Sequence, residues 1–290
     1  MKRLLITGGS GYLGSHLIQA GAVRGWEVYA TYFSRPLVPA RGVAVPLDLR
    51  DANAARALLR ELQPSAILHT ACSNRDPGNV SAIVPAARHL ASAARESGLR
   101  FVHVSTDLVF DGEHAPYADD SRPAPISDYG RAKAEAERVV AEIDPAAVVV
   151  RPSLIWGLDP IDRQSGWLVD GVRRGERVTL FTDEYRCPVS VHDLCAALLE
   201  LASRPDISGP MNLGGPQSLT RWEFGMRLLA ALKLAPGPNL VRSTVKESGL
   251  LRARDLTMIS ARARQLLESR LRSVDEVLTT SPMPQLAGHA

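Results

Sequence analysis

The sequence predicts an α/β fold, a doubly wound parallel sheet with a smaller C-terminal lobe. Three observations carry that prediction. Short apolar runs alternate with stretches of helical spacing from residue 3 to about residue 151, the rhythm of strand–helix–strand crossovers. The first apolar run ends in a glycine-rich turn that opens a helix, where such sheets place their ligand loop. After about Trp156 the alternation loosens, as a smaller unit appended to the sheet would require.

Each element has a local reason. Residues 3–7 form an apolar run leading straight into glycines, read as a buried parallel strand and a tight turn. Residues 13–24 continue with helical spacing, and 27–32 are rich in strand formers. The order then runs strand 43–46, helix 52–62, strand 66–70, helix 80–97, strand 101–105, helix 127–142 and strand 147–151. Beyond Trp156, a helix near 165–174 and a strand at 178–181 precede further segments at 191–202, 211–213 and 222–232. We divide the chain into a dinucleotide-type domain over 1–155, to which later chain returns, a lobe mainly over 156–280, and a flexible tail at 281–290.

Composition narrows the function. The 290 residues are 45% hydrophobic and 22% charged, ordinary for a globular protein. A net charge of +3 is too small to argue for nucleic acid, which calls for a concentrated basic stripe. Arg252, Arg254, Arg262, Arg264, Arg270 and Arg272 crowd the C-terminal region and read as a mostly solvated face, from which one or two could meet an anion. Cys72, Cys187 and Cys195 have no metal-type spacing and suit free thiols in a reducing cytoplasm. The apolar start breaks at Thr7-Gly8-Gly9, far short of a secretory core or a membrane span. The histidines His69, His89, His103, His114 and His192 share no ligand spacing, so no metal site is expected.

The turn Thr7-Gly8-Gly9-Ser10-Gly11-Tyr12-Leu13-Gly14 places glycines at 8, 11 and 14. Gly8 allows the tight turn, Gly11 lets backbone N–H groups reach a pyrophosphate, and Gly14 lets helix and strand pack closely. Following a strand and opening a helix, it marks a Rossmann-type dinucleotide site. At the end of the second strand, Thr31-Tyr32-Phe33-Ser34-Arg35 lacks the acid that grips a ribose 2′-hydroxyl. Ser34 and Arg35 would receive a 2′-phosphate, so NADP(H) is favoured and NAD(H) left open. Asp48, followed by Leu49, could accept from the adenine amino group or serve as a turn residue before the next helix; both readings stay open.

Asp128-Tyr129-Gly130-Arg131-Ala132-Lys133 sets Tyr129 and Lys133 four apart, on one face of a helix. A tyrosine with an ordinary pKa near ~10 is a poor proton shuttle at neutral pH; a nearby ammonium favours the phenolate. Ser105 or Thr106, at the end of an intervening strand, can donate to the substrate oxygen beside Tyr129.

The string Ser105-Thr106-Asp107-Leu108-Val109-Phe110-Asp111-Gly112, with the Tyr129–Lys133 pair, resembles the extended short-chain dehydrogenase/reductases and within them the dTDP-4-dehydrorhamnose reductase group. The resemblance extends through His69-Thr70-Ala71-Cys72, Arg151-Pro152-Ser153, Val191-His192-Asp193-Leu194 and Asn212-Leu213-Gly214-Gly215. It implies Thr106, Tyr129 and Lys133 as a catalytic trio, Ala71 and Cys72 near the cofactor, and reduction of a 4-keto group on a nucleotide-linked deoxysugar by NADPH. Arg252 and Arg254 match a basic stretch that can face substrate. Leu108 stands where the group usually has tyrosine, and Leu154 where it has an aromatic residue.

Asp107 is a further substrate-side candidate. Trp156 and Trp167 flank the start of the second lobe, and Trp156 is taken as a substrate contact, with core packing as the alternative. His69 and His103 read as hydrogen-bonded core histidines. The expected function is therefore an NADPH-dependent reductase of a nucleotide-sugar ketone, cytoplasmic, with a homodimer open. The alternatives are an epimerase or dehydratase retaining its nucleotide, and a non-catalytic subunit like the regulatory subunit of methionine adenosyltransferase, which resembles the same group.

Overall fold

The computed structural model describes residues 1–71 and 79–280. The expectations for Cys72, for the loop after it and for the tail 281–290 lie outside those residues. The first part of the chain alternates β1 (Arg3–Thr7), α1 (Tyr12–Val23), β2 (Glu27–Tyr32), β3 (Val43–Pro46), α2 (Ala52–Leu62), β4 (Ala66–His69), α3 (Val80–Glu96), β5 (Arg100–Val104), α4 (Asp128–Ile143) and β6 (Val148–Pro152). It continues through β7 (Ile155–Trp156), α5 (Arg163–Arg173), β8 (Val178–Phe181), β9 (Tyr185–Arg186), β10 (Val189–Ser190), α6 (Val191–Ala202) and β11 (Gly209–Leu213). The remainder is β12 (Leu219–Thr220), α7 (Arg221–Ala231), β13 (Leu240–Ser243), α8 (Val245–Ser248), α9 (Ala261–Leu266) and α10 (Val274–Thr280).

Seven strands form one parallel sheet in the order β11-β6-β5-β4-β1-β2-β3. The strand order reverses between β1 and β4, so the crevice for a ligand opens at their carboxyl ends. Alternate residues of β1 enter different cores. Leu4 and Ile6 join Leu17, Ile18, Leu194 and Leu198 on the α1/α6 face, while Leu5 joins Leu59, Ile83, Leu90 and Val140 on the α2/α3/α4 face. Burial on both faces is why these strands read as unbroken apolar runs. Each fully buried Leu or Ile contributes about 1.5–3 kcal/mol.

The chain leaves the sheet after β6 and builds a separate apolar cluster around Trp156, Leu168, Leu180, Phe224 and Leu228. It returns in α6, which packs against α1, and in β11, the last strand of the sheet. Among the described residues no helix is long and apolar enough to cross a membrane.

The doubly wound sheet is present as predicted. α5 begins at Arg163, ahead of the predicted 165, because Asp162 caps it, accepting from the backbone N–H groups of Gln164 at 2.9 Å and Ser165 at 3.1 Å. The sequence reading did not foresee the paired β7–β10 and β9–β12, each of two residues, or β13 beside β8. Strands that short owe their form to the partner across the fold rather than to local propensity.

His69 and His103 occupy neighbouring strands with ring centroids 5.1 Å apart. His69 meets the expectation of a bonded core histidine through Thr7 Oγ1, 2.7 Å from its Nδ1. His103 does not: neither ring nitrogen has a hydrogen-bond partner among the described residues. Burial, then the charge of Lys133, holds both imidazoles neutral, His69 at about 3 and His103 well below its usual value. A depressed histidine supports the fold above its unfolded pKa, and that support drains as pH falls below about 6.5. His103→Leu removes an unsatisfied buried polar group of similar size. The variant is expected to match or exceed the parent in urea unfolding at pH 7, and to lose less stability between pH 7 and pH 5.

Candidate active site

The glycine turn connects β1 to α1 at the crevice. Gly8 has φ +77°, and a Cβ there would lie 2.8 Å from Ala71 Cα. A Cβ on Gly14 would collide with the carbonyl oxygen of Gly8. The turn is held by Gly9 N–H donating to Thr31 O at 2.8 Å and Gly11 N–H to Gly8 O at 3.0 Å. Side-chain oxygens of Asp51, Ser127, Asp162 and Thr220 cap α2, α4, α5 and α7. α1 is capped by Gly11, with no side-chain cap and no acid in its first turn. Its first N–H groups are therefore left facing the cavity, the arrangement that receives a pyrophosphate. The cradle fits a dinucleotide.

That cavity has a volume of about 780 Å³ and runs from Gly8, Gly11, Tyr12, Leu13, Gly14, Arg35 and Ala71 past Ser105, Thr106, Tyr129 and Lys133 to Trp167, Phe181, Arg221 and Arg252. Among the described residues its walls carry five cationic side chains (Arg35, Lys133, Arg163, Arg221 and Arg252) and one acid, Asp162. The Asp162 carboxylate is occupied by the start of α5. The cavity is thus built for an anion.

Tyr129, Lys133 and Glu137 form one stripe along α4, four residues apart. Lys133 is buried, and its Nζ donates to Val104 O at the end of β5 at 2.6 Å. One turn on, the buried Glu137 accepts from Arg151 of β6, with Nη2–Oε2 at 2.7 Å. These contacts fix the helix against two strands and hold Tyr129, half-buried, on the cavity wall. Tyr12 also faces the cavity but donates its hydroxyl to Pro160 O at 3.1 Å. Burial and then the charge of Asp162 raise its pKa, which makes it a neutral donor rather than a proton shuttle.

Thr106 sits beyond β5, its Oγ1 accepting from Leu108 N–H at 3.2 Å and donating to Asp107 Oδ1 at 3.3 Å. The Ser105 hydroxyl has no partner among the described residues. Both line the cavity.

Asp107 faces a neighbouring cavity of about 380 Å³ that shares Tyr129, Gln164, Arg221 and Arg252 with the first. Burial raises its pKa, against the charge of Arg186 and a 2.9 Å hydrogen bond from Ser153. Glu184 lies beneath with Arg252 Nε at 2.6 Å and Arg186 Nη2 at 3.1 Å. Burial opposes its ionisation, but the Arg252 hydrogen bond and these charges hold its carboxyl below the usual range. Arg221 is walled by protein yet open to the cavity; burial lowers it to about 10, still charged at neutral pH. Leu108, Phe110, Ile126 and Leu154 make the apolar side of this second cavity.

At the other end a third cavity, about 180 Å³, is lined by Ser34, Arg35, Asp48, Leu49 and Arg50. Arg50 clamps Asp48, with Nε–Oδ1 at 2.9 Å and Nη2–Oδ2 at 2.7 Å, and lies 4.9 Å over the Phe33 ring. The Arg50 hydrogen bond lowers the Asp48 pKa. Asp48 thus stays on the wall of this cavity beside Leu49, with its carboxylate paired to Arg50.

The structure brings most predicted residues together and separates two. Trp156 is 1% exposed and packs edge-on against Phe224, so it belongs to the core of the second cluster. Trp167, eleven residues later, faces the cavity instead. Arg254 pairs with Glu113 at the surface, 2.8 Å apart, away from the cavity, while Arg252 lines it. Of the other C-terminal arginines, Arg270 pairs with Glu276 and Arg272 with Asp193. The sequence reading missed Arg50, Glu184, Arg186 and Arg221. Only Arg50 carried a local signal, two residues beyond Asp48.

A glycine cradle at the switch point of a parallel sheet, facing a Tyr–Lys pair and a second lobe, defines an extended short-chain dehydrogenase/reductase. The chain belongs to the family described as RmlD substrate binding domain, whose profile matches residues 1–275. It is 30% identical over 247 residues to methionine adenosyltransferase 2 subunit beta of Xenopus tropicalis, covering 80% of this chain and 73% of that protein. It is 28% identical over 236 residues to the probable low-salt glycan biosynthesis reductase Agl14 of Haloferax volcanii, covering 77% and 78%. Among solved structures, a hypothetical dTDP-4-dehydrorhamnose reductase from Sulfolobus tokodaii superposes with a TM-score of 0.81 at 26% identity, covering 94% of this chain and 97% of that one.

Gly14→Ala is expected to displace the turn and weaken nicotinamide-dinucleotide binding, read by calorimetry, by at least about 100-fold, since the added carbon meets the backbone of Gly8 and Gly9. Gly166→Ala, whose Cβ would meet only Ile161 Cγ2 at 3.6 Å, should leave binding intact and stabilise α5 by about 0.5–1 kcal/mol.

Proposed function

We propose that the protein is an NADPH-dependent reductase of a keto group on a nucleotide-linked sugar. The observation that carries this reading is the place of Tyr129: it lies on the wall shared by the dinucleotide cradle and the cationic second-lobe cavity. Membership of the RmlD family and the likeness to Agl14 support it.

Bound NADPH would supply the hydride to the carbonyl carbon. Tyr129 gives its phenolic proton to the carbonyl oxygen as charge develops there. Lys133, held by Val104 O, keeps a positive charge one turn away, which eases proton loss from the phenol. Thr106, and Ser105 beside it, present hydroxyls to the same oxygen. Arg221 and Arg252 face the substrate side and would hold a diphosphate. Ser34 and Arg35 at the end of β2, where no acid stands, favour the 2′-phosphate of NADP(H) over NAD(H); Arg50 adds a second charge in the same cavity.

A second reading has its own support. The relationship to a subunit named for methionine adenosyltransferase fits a partner protein that binds the nucleotide without turning over. The two separate cleanly by experiment. With a panel of nucleotide 4-ketosugars, the native chain should consume NADPH at 340 nm. Tyr129→Phe should lose about 10²–10⁴-fold of that rate while NADPH still binds. Binding of NADPH with no turnover on any member of the panel overturns the reductase reading and favours the subunit.

Cofactor choice is tested separately. Arg35→Ala and Arg50→Ala should each weaken NADPH by about 10-fold, roughly 1.4 kcal/mol, and leave NADH within about twofold. Equal losses for both cofactors would show that the arginines do not read the 2′-phosphate.

A further inference from the structure

The parallel sheet has a second hollow at its opposite edge, away from the glycine cradle. A cavity of about 350 Å³ opens where the strands begin: Lys2 stands just before β1, Ser65 before β4, Arg100 opens β5 and Asp144 precedes β6. Arg95 and Ser203, at the ends of α3 and α6, close it. Ligands of open sheets bind at the carboxyl ends of the strands, so neither the dinucleotide nor the proposed chemistry uses this hollow.

Its charge is unmatched. Charged sequence neighbours of the lining residues are paired: Arg3 with Glu27 at 3.2 Å, Glu96 with Arg56 at 3.3 Å and Arg204 with Asp206 at 2.7 Å. Lys2, Arg95 and Arg100, which line the cavity, have no carboxylate within 4.0 Å among the described residues. Arg100 is anchored by two carbonyls, its Nε donating to Leu201 O and its Nη1 to Ala146 O, each at 2.9 Å. Its buried Nη2 has no partner among the described residues, an unmet donor of the kind an ion or water satisfies. Burial lowers the Arg100 pKa against the attraction of Asp144 and Asp206, and a guanidinium stays charged through such shifts. Asp144 is the one acid among the described lining residues; it is 3% exposed and accepts from Ala146 N–H at 3.3 Å. Three cations against one covered acid leave the hollow positive.

The walls also restrict what fits. Trp26 and Phe101 back the cavity at 8% and 1% exposure, which leaves no broad ring face for a base or an acyl chain. The backbone N–H groups of Ser65, Gly98, Leu99 and Ser203 are already bonded within the chain, so a ligand meets side chains. A ligand that engages all three cations must be compact and carry more than one negative charge.

We propose that this hollow is a binding site for free diphosphate or a similarly compact polyanion, held by Lys2, Arg95 and Arg100. The site is separate from the dinucleotide cradle and independent of the reductase reading.

The test uses the full chain labelled with ¹⁵N and deuterium and titrated with inorganic diphosphate. The amide resonances of Gly98, Leu99 and Ser203 should shift saturably, and are read apart from any shifts at Gly11 and Ala71 in the cradle. Lys2→Gln combined with Arg95→Gln should weaken the binding read at those three amides by at least about 10-fold. Both side chains are exposed, so the thermal midpoint and the cradle shifts should be unchanged; this pair decides the matter even where Arg100→Gln fails to fold. Inorganic phosphate should bind more weakly, and ADP no more tightly than diphosphate. Absence of saturable shifts at Gly98, Leu99 and Ser203, or an affinity there that survives the double substitution, overturns the site and leaves the reductase reading standing. Tighter binding of ADP at the same amides overturns the free anion as its ligand.

Discussion

The site depends on how α4 is fastened to the sheet. A helix lying on a parallel sheet by apolar contact alone can slide or roll by a fraction of a turn at small cost. Here two buried charges prevent that. Lys133 reaches the last carbonyl of β5, and Glu137 meets Arg151 on β6. Removing one partner of a buried pair strands the other, at a cost of about 3–5 kcal/mol, so the register of α4 is sharply defined. Tyr129 is the third member of the same stripe and inherits that register. Its position on the cavity wall follows from contacts made one and two turns further along.

The charges around this point are distributed by the same logic. The cavity that would hold the dinucleotide and the substrate diphosphate has a surplus of cations, and its single acid is consumed by the start of α5. Carboxylates that could repel an anion are tied back: Asp48 by Arg50, Glu184 by Arg252 and Arg186. His69 and His103, packed behind the site, stay neutral through burial and the nearby Lys133.

What could be read from the sequence follows the range of the interactions. The glycine turn and the Tyr129–Lys133 spacing are local, each complete within eight residues or fewer, and both were legible. The parallel sheet was legible because burial on both faces leaves uninterrupted apolar runs. The cluster of Glu184, Arg186, Arg221 and Arg252 spans three segments brought together only by the fold, and no spacing announces it. Trp156 and Trp167 were indistinguishable as tryptophans near a lobe boundary. The first lies in a two-residue strand over a core, the second on the cavity face of α5. That difference is set by the phase of each element, which needs the exact start of α5 and therefore the Asp162 cap. The Asp48–Arg50 clamp is the one missed feature with a local signature.

The chemistry and the substrate rest on different parts of the molecule. The proposed hydride and proton transfer would draw on the cradle and on α4, where glycine contacts and buried charges leave little freedom. The proposed substrate would be chosen by the second cavity, whose apolar wall includes Leu108 and Leu154 at positions where the resemblance implies tyrosine and an aromatic residue. Leucine keeps the wall apolar but removes a phenolic hydroxyl and a flat ring face, two means of reading a sugar's hydroxyl pattern. A wall without them discriminates by shape and exclusion of water, which separates close analogues by only about 1–3 kcal/mol per methylene. The arginine floor beneath it still demands an anion. For the proposed substrate, the site would therefore constrain the charged handle more tightly than the substituents of the sugar ring.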